Sequence, residues 1–131
     1  MAKIKAAEAS GVVLDYMVAM ALGGTEPWFD TVNTYWIKID GKDKALSTKW
    51  SDQQNFAPTT LWAHGGPIIA REQISFDNFK GHPCAAFMGT HARYAFRQWA
   101  PEGQILIAAM RCYVASKLGE EVEVPDELLE S

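Results

Sequence analysis

The stretch from Leu106 to Leu129 constrains the fold more than any other part of the chain, because it holds a helix, its stop and a changed exit in one segment. Ala, Leu, Met, Arg and Lys favour helix, Lys117 suits the negative end of the helix dipole, and Gly119 can take the left-handed backbone that ends it. This helix is apolar nearly all round, since Leu106, Ile107, Ala109, Met110, Tyr113 and Val114 occupy more than one stripe. Such a helix is either central to a core or one side of an oligomer interface, so a homodimer through it stands as the alternative to burial within the chain. Arg111 in its middle needs a partner or an exposed face. Asp15 and Glu72 are the candidate partners, and lining a pocket is the other reading.

A second helix is expected from about Ala7 to Leu22, where Leu14, Met17, Val18 and Ala21 follow the i, i+3, i+4, i+7 spacing and Gly23-Gly24 supplies the stop. Gly11 inside it implies close backbone packing or a later helix start. Between the two helices the pattern changes to strands. Lys3 to Lys5 reads as a short strand, and Thr34 to Ile39 as another that runs into the hairpin turn Asp40-Gly41 and returns over Leu46 to Trp50. Asn55 to Pro67 reads as loop, Ile68 to Phe76 as a strand, Gly81 to Thr90 as irregular, and Ala92 to Trp99 as a further strand. No strand-helix-strand rhythm suggests a parallel sheet. The expected class is therefore α+β, with two main helices, N- and C-terminal, packed on a small antiparallel sheet of three to five strands.

A chain of 131 residues, 48% of them hydrophobic, suffices for one core. The expected organisation is one compact domain over residues 1–119, with 120–131 as its acidic extension. The net charge of −4 is unevenly spread: residues 1–119 carry 12 basic and 10 acidic side chains, and residues 120–131 carry six acidic and none basic. This balance argues against nonspecific DNA binding, which rests on cationic contacts to phosphate, and no sequence-specific nucleic-acid partner is expected. The tail either mimics nucleic acid or is a solvated end in which Val122 and Val124 alternate as an edge strand and Pro125 opens a final turn. No apolar run approaches the ~20 residues of a membrane span, and no leader pattern opens the chain, so a soluble, unexported protein is expected. Cys84 and Cys112 have no partner at metal spacing and read as buried thiols, with no metal site and no cofactor implied.

Two segments carry candidate binding residues. Trp62-Ala63-His64-Gly65-Gly66-Pro67 followed by Arg71 suits a ligand loop: Gly65 and Gly66 let amides approach an anion, Trp62 stacks on a ring, and Arg71 clamps a carboxylate or phosphate. A tight turn entering a strand explains the same residues. From Phe79 to Trp99, Lys80, His82, His91, Arg93 and Arg97 alternate with aromatics and no acidic residue intervenes. That composition suits a nucleotide, a short single strand or an acidic protein surface, while core aromatics backed by exposed arginines are the plainer explanation. Trp62, Gly65, Gly66, Arg71, Arg93, Arg97 and Arg111 are thus the candidate ligand-binding residues. His64, His82 and His91 could each act as a base, but no nucleophile elbow, His-Glu-x-x-His pair or close carboxylate pair accompanies them, and no catalytic residue is assigned.

Leu106 to Leu129, Gly65-Gly66-Pro67-Ile68-Ile69-Ala70-Arg71-Glu72, Lys3-Ile4-Lys5-Ala6, the Leu14-Asp15 helix and Gly23-Gly24 together resemble the NinX-like group of small tailed-phage and prophage proteins. Residues 26–60 and 77–104 carry none of the resemblance. The group's pattern has an acidic residue where this chain has Ala70, which puts a carboxylate-dependent role there in doubt. The resemblance implies a phage accessory protein of the host cytoplasm and no particular reaction. The functional expectation is a noncatalytic binding module for a host protein or a small anionic, nucleotide-like ligand, with counter-defence as one use for it. A small histidine-dependent hydrolase or transferase is the alternative.

Overall fold

The computed structural model describes residues 1–90 and 93–129, with 89, 90 and 93–95 placed by backbone alone. Strand β1 (Ala2–Lys5) leads through a 3-10 turn (Ala6–Glu8) into α1 (Gly11–Ala21). Then come β2 (Thr25–Phe29), β3 (Tyr35–Ile39), β4 (Lys42–Ala45) and α2 (Trp62–Glu72). The chain continues through β5 (Ser75–Asp77), β6 (Cys84–Thr90), β7 (Arg93–Ala100), α3 (Ile105–Leu118), β8 (Glu121–Val124) and α4 (Asp126–Leu129). The class is α+β. Instead of one sheet there are three small antiparallel ones among the described residues, ordered β1-β8, β2-β3-β4 and β5-β6-β7.

The C-terminal helix is central. α3 packs on β6 and β7 on one side and on α1 and α2 on others, so Leu106, Ala108, Ala109, Met110, Cys112, Tyr113, Val114 and Ala115 are all buried within the chain. Its apolar circumference is the price of that position, and its alanines let neighbouring elements approach closely. Gly119 ends it at φ 94°, ψ −175°, a region essentially confined to glycine. Leu14, Met17 and Val18 of α1 and Ile37 of β3 complete the core with Met110 and Val114. The acidic end joins it too: β8 pairs with β1, Ala2 opposite Val124, and Val124 and Leu128 are buried.

Several local expectations are corrected. The first helix begins at Gly11, which has φ 56°, after a separate 3-10 turn. Asp40 (φ 52°) and Gly41 (φ 76°) do form the two-residue turn between β3 and β4, but the return strand is Lys42–Ala45, not 46–50. Residues 84–90, read as irregular, are the middle strand of their sheet. Of the strand expected over 68–76 only the end is extended, as β5, which runs on to Asp77, and β7 runs from Arg93 to Ala100; the expected start at Ala92 lies outside the described residues. β2 had no counterpart in the sequence reading.

The largest correction is α2, a helix where a loop and a strand were expected. Two glycines and an internal proline make it a poor helix by propensity. Tertiary packing overrides that: Gly65, Ile68, Ile69 and Glu72 have the spacing that shares one helical face, and α2 lies against α3. A third large helix therefore joins the two expected ones. Its end is a Schellman closure, in which Ile74 N–H donates to Ile69 O at 3.0 Å and Gln73 N–H to Ala70 O at 3.4 Å. Gln73 occupies the left-handed position at φ 53°, ψ 48°. Gln73→Gly is expected to stabilise the protein by roughly 0.5 kcal/mol, because relief of left-handed strain slightly exceeds glycine's extra chain entropy. The urea midpoint should rise with an unchanged slope; a lower midpoint contradicts this account of the closure.

Candidate cleft between α2 and α3

A turn ahead of α2 sets where the helix starts. Asp15 of α1, only 5% exposed, accepts the Thr59 N–H at 2.9 Å. Burial pushes its carboxyl up to about 7, against the lowering effect of the Thr59 backbone and hydroxyl. The Thr59 hydroxyl is buried and completes no hydrogen bond of full geometry. Two residues earlier, Ala57 N–H donates to His64 Nδ1 at 3.0 Å, and the imidazole stacks on Phe56 at 5.8 Å between centroids. A nitrogen that accepts an N–H carries no proton, so the ring hydrogen sits on Nε2. Burial, helped by the Lys44 charge and opposed by Asp52, lowers the His64 pKa and keeps the ring neutral near pH 7.

Beyond this turn α2, α3, the end of α1 and the Asp40 turn enclose an open cleft of about 600 Å³. Its apolar wall includes Leu22, Ile39, Phe56, Ala63, Pro67 and Ile68; its polar groups are Asp40, His64, Arg71, Glu72, Tyr113 and Lys117. The last four converge. Arg71 Nε–H donates to Glu72 Oε2 at 3.1 Å, and Lys117 Nζ lies 3.5 Å from Glu72 Oε1. One carboxylate thus serves two cations, and the Arg71 bond, then Lys117, holds its pKa below the usual glutamate range despite desolvation. Burial raises the Tyr113 phenol while the Arg71 charge opposes the rise. Arg71 also interacts with the Tyr113 hydroxyl, which leaves its other guanidinium N–H groups and the partly exposed ammonium for a further acceptor.

The candidate residues read from sequence are distributed over different places. Arg71 stands in the cleft. Trp62, 53% exposed, opens α2 and lines an adjoining hollow that shares Ala63 and His64 with the cleft. The two glycines are helical, so their amides do not form an anion loop; Gly65 is buried where a Cβ would meet Pro58 O at 2.5 Å and the Leu106 side chain at 2.6 Å. Arg97 lies on the sheet face away from α3, its guanidinium 5.5 Å from the centre of the Phe87 ring, and Trp99 follows on the same face. Arg93 is in β7, with its side chain outside the described residues, as is all of His91. Arg111 is a strap: Nε–H donates to Ala9 O at 2.8 Å and Nη1–H to Trp99 O at 2.6 Å. Neither Asp15 nor Glu72 is its partner. Ala70 is exposed on α2 and does not line the cleft.

Three cleft residues carried no binding signal in the sequence. Lys117 read as a helix-end charge, Tyr113 as core and Glu72 as a possible partner for Arg111. Sequence reasoning also missed an aromatic cluster on the β2-β3-β4 sheet. Trp28 stacks on Trp36 at 5.7 Å, Trp50 meets Trp36 edge-on at 5.1 Å, and Asp30 accepts the Trp36 indole N–H at 2.7 Å. The abundance of tryptophan between residues 28 and 50 was the signal that could have found it.

Against known families, the model described as Bacteriophage P22, NinX matches residues 5–117, a span that contains every polar residue of the cleft. No curated protein matches the chain. No described helix is long and apolar enough to cross a membrane.

Proposed function

The chain belongs to the Bacteriophage P22 NinX family of phage proteins, and from that premise we propose that it is a noncatalytic accessory protein that holds a small anionic ligand in the α2–α3 cleft. One observation carries this reading: Arg71 and Lys117, from two helices, share a single carboxylate at the edge of a ligand-sized cleft. Two cations meet one anion at Arg71, Glu72 and Lys117, with Asp40 the cleft's other carboxylate, and a guanidinium with unused donors suits a carboxylate or phosphate in particular. The hydrolase alternative requires a histidine held by a carboxylate. His64 spends Nδ1 on a backbone N–H, and among the described residues no histidine is hydrogen-bonded to a carboxylate.

Titration calorimetry with inorganic pyrophosphate tests the proposal. Binding to the native protein is expected to weaken about 10- to 100-fold in Arg71→Leu and again in Lys117→Leu, since each charge-assisted contact contributes about 1.5–3 kcal/mol. Absence of any pyrophosphate heat overturns it. That result favours a second reading, a host-protein partner on the exposed Trp28 and Trp50 surface, which are 48% and 40% exposed.

A further inference from the structure

We infer that the anion of the cleft is the phosphate of a nucleoside phosphate, with the base against His64 and Ala63 and the phosphate against Arg71 and Lys117. The inference rests on the anion-binding reading and adds to it the chemistry of the opposite end of the cleft. There two groups of opposite hydrogen-bonding sense lie side by side. His64 Nε2–H is a neutral donor, because Nδ1 is committed to Ala57 N–H, and no described group accepts from it. The Ala63 carbonyl lacks the usual donor one helical turn later, because Pro67 has no N–H. Ala63, His64 and Pro67 all line the cleft, and the inference places the His64 donor and the Ala63 acceptor toward the base.

Such a pair suits a planar heterocycle whose edge presents a donor beside an acceptor, as nucleobases do; a bare phosphate or simple carboxylate leaves it unused. Spacing fits as well. Ala63 and Arg71 are eight residues apart on one helix, about 12 Å along its axis, close to the reach from base edge to 5′-phosphate.

Calorimetry of the full chain with AMP, GMP, ribose 5-phosphate and inorganic pyrophosphate tests this. AMP or GMP is expected to bind at least tenfold more tightly than ribose 5-phosphate, which lacks the base. His64→Asn, whose side-chain oxygen can still accept from Ala57 while losing the Nε2–H donor, should erase most of that advantage. If neither nucleotide outbinds ribose 5-phosphate while pyrophosphate still binds, the nucleotide inference is overturned and anion binding stands. If none of the four binds, both fall. The AMP to ribose 5-phosphate comparison needs no variant, so the test holds even if His64→Asn fails to fold.

Discussion

Asp15→Asn should make the protein more stable, and increasingly so as pH rises. The carboxyl titrates at about 7 in the folded chain against an ordinary value of 3.8, because burial penalises its charged form. A raised folded-state pKa contributes stability that is complete below 3.8 and is lost as pH climbs through about 7. At pH 8 the native protein therefore carries a buried charge worth about 4 kcal/mol of lost stability. Asparagine keeps an oxygen for the Thr59 N–H and has nothing to ionise. The expected difference between variant and native protein is near zero at pH 4 and grows to several kcal/mol at pH 8.5, or roughly 10 °C in melting temperature. Histidine titrations are common to both chains and cancel in the difference. Parallel melting curves across pH 4–8.5 would falsify the assignment of a buried, protonatable Asp15.

The consequence extends to the cleft. Asp15 holds Thr59, and the turn that contains Thr59 also delivers Ala57 N–H to His64. Asp15 therefore ties α1 to the turn that positions His64 at the start of α2.

The second large effect separates two neighbouring glycines. Gly65→Ala is expected to lower stability by about 3 kcal/mol, since its Cβ would sit 2.5 Å from the Pro58 carbonyl oxygen, a backbone atom, and 2.6 Å from Leu106 Cδ2. Leu106 can rotate; the backbone carbonyl can move only if the whole turn shifts away from α2. Gly66→Ala should act in the opposite direction. Its Cβ meets only Trp62 at 3.8 Å, an ordinary contact, so the gain in helix propensity of about 0.5–1 kcal/mol prevails. Thermal denaturation of both variants decides the matter, and equal shifts of either sign would mean that α2 does not pack as described. Gly65→Ala should also weaken pyrophosphate binding, because Arg71 rides on the displaced helix.

Much of the fold was legible because it depends on local rules. The cap at Gly119, the Asp40-Gly41 turn and the alternation of Val122 and Val124 all express conformational preference or burial within a few residues, whereas the single stripe read for α1 understates it, since Leu14 to Ala19 are all buried. The candidate site was less legible, since Arg71 was visible as a cation while Lys117, Tyr113 and Glu72 had separate local explanations. Nothing in the order of residues places 71–72 beside 113–117; the crossing of α2 over α3 does so. The tryptophan cluster likewise depends on a turn that folds Trp50 back onto β3.

The sequence by itself determined the α+β class, the two terminal helices, the buried cysteines and the phage family, each carried by periodicity, composition or motif. Only the tertiary structure decided that Trp62–Glu72 is helical, that Arg111 is a strap and not a ligand contact, and that one cleft gathers Arg71, Glu72, Tyr113 and Lys117. The physical reason is the same in all three. A glycine-rich, proline-containing segment has weak conformational preference of its own, and a charged side chain takes its role from the partner it meets. Both are settled by the surface presented by α3, which local sequence cannot supply.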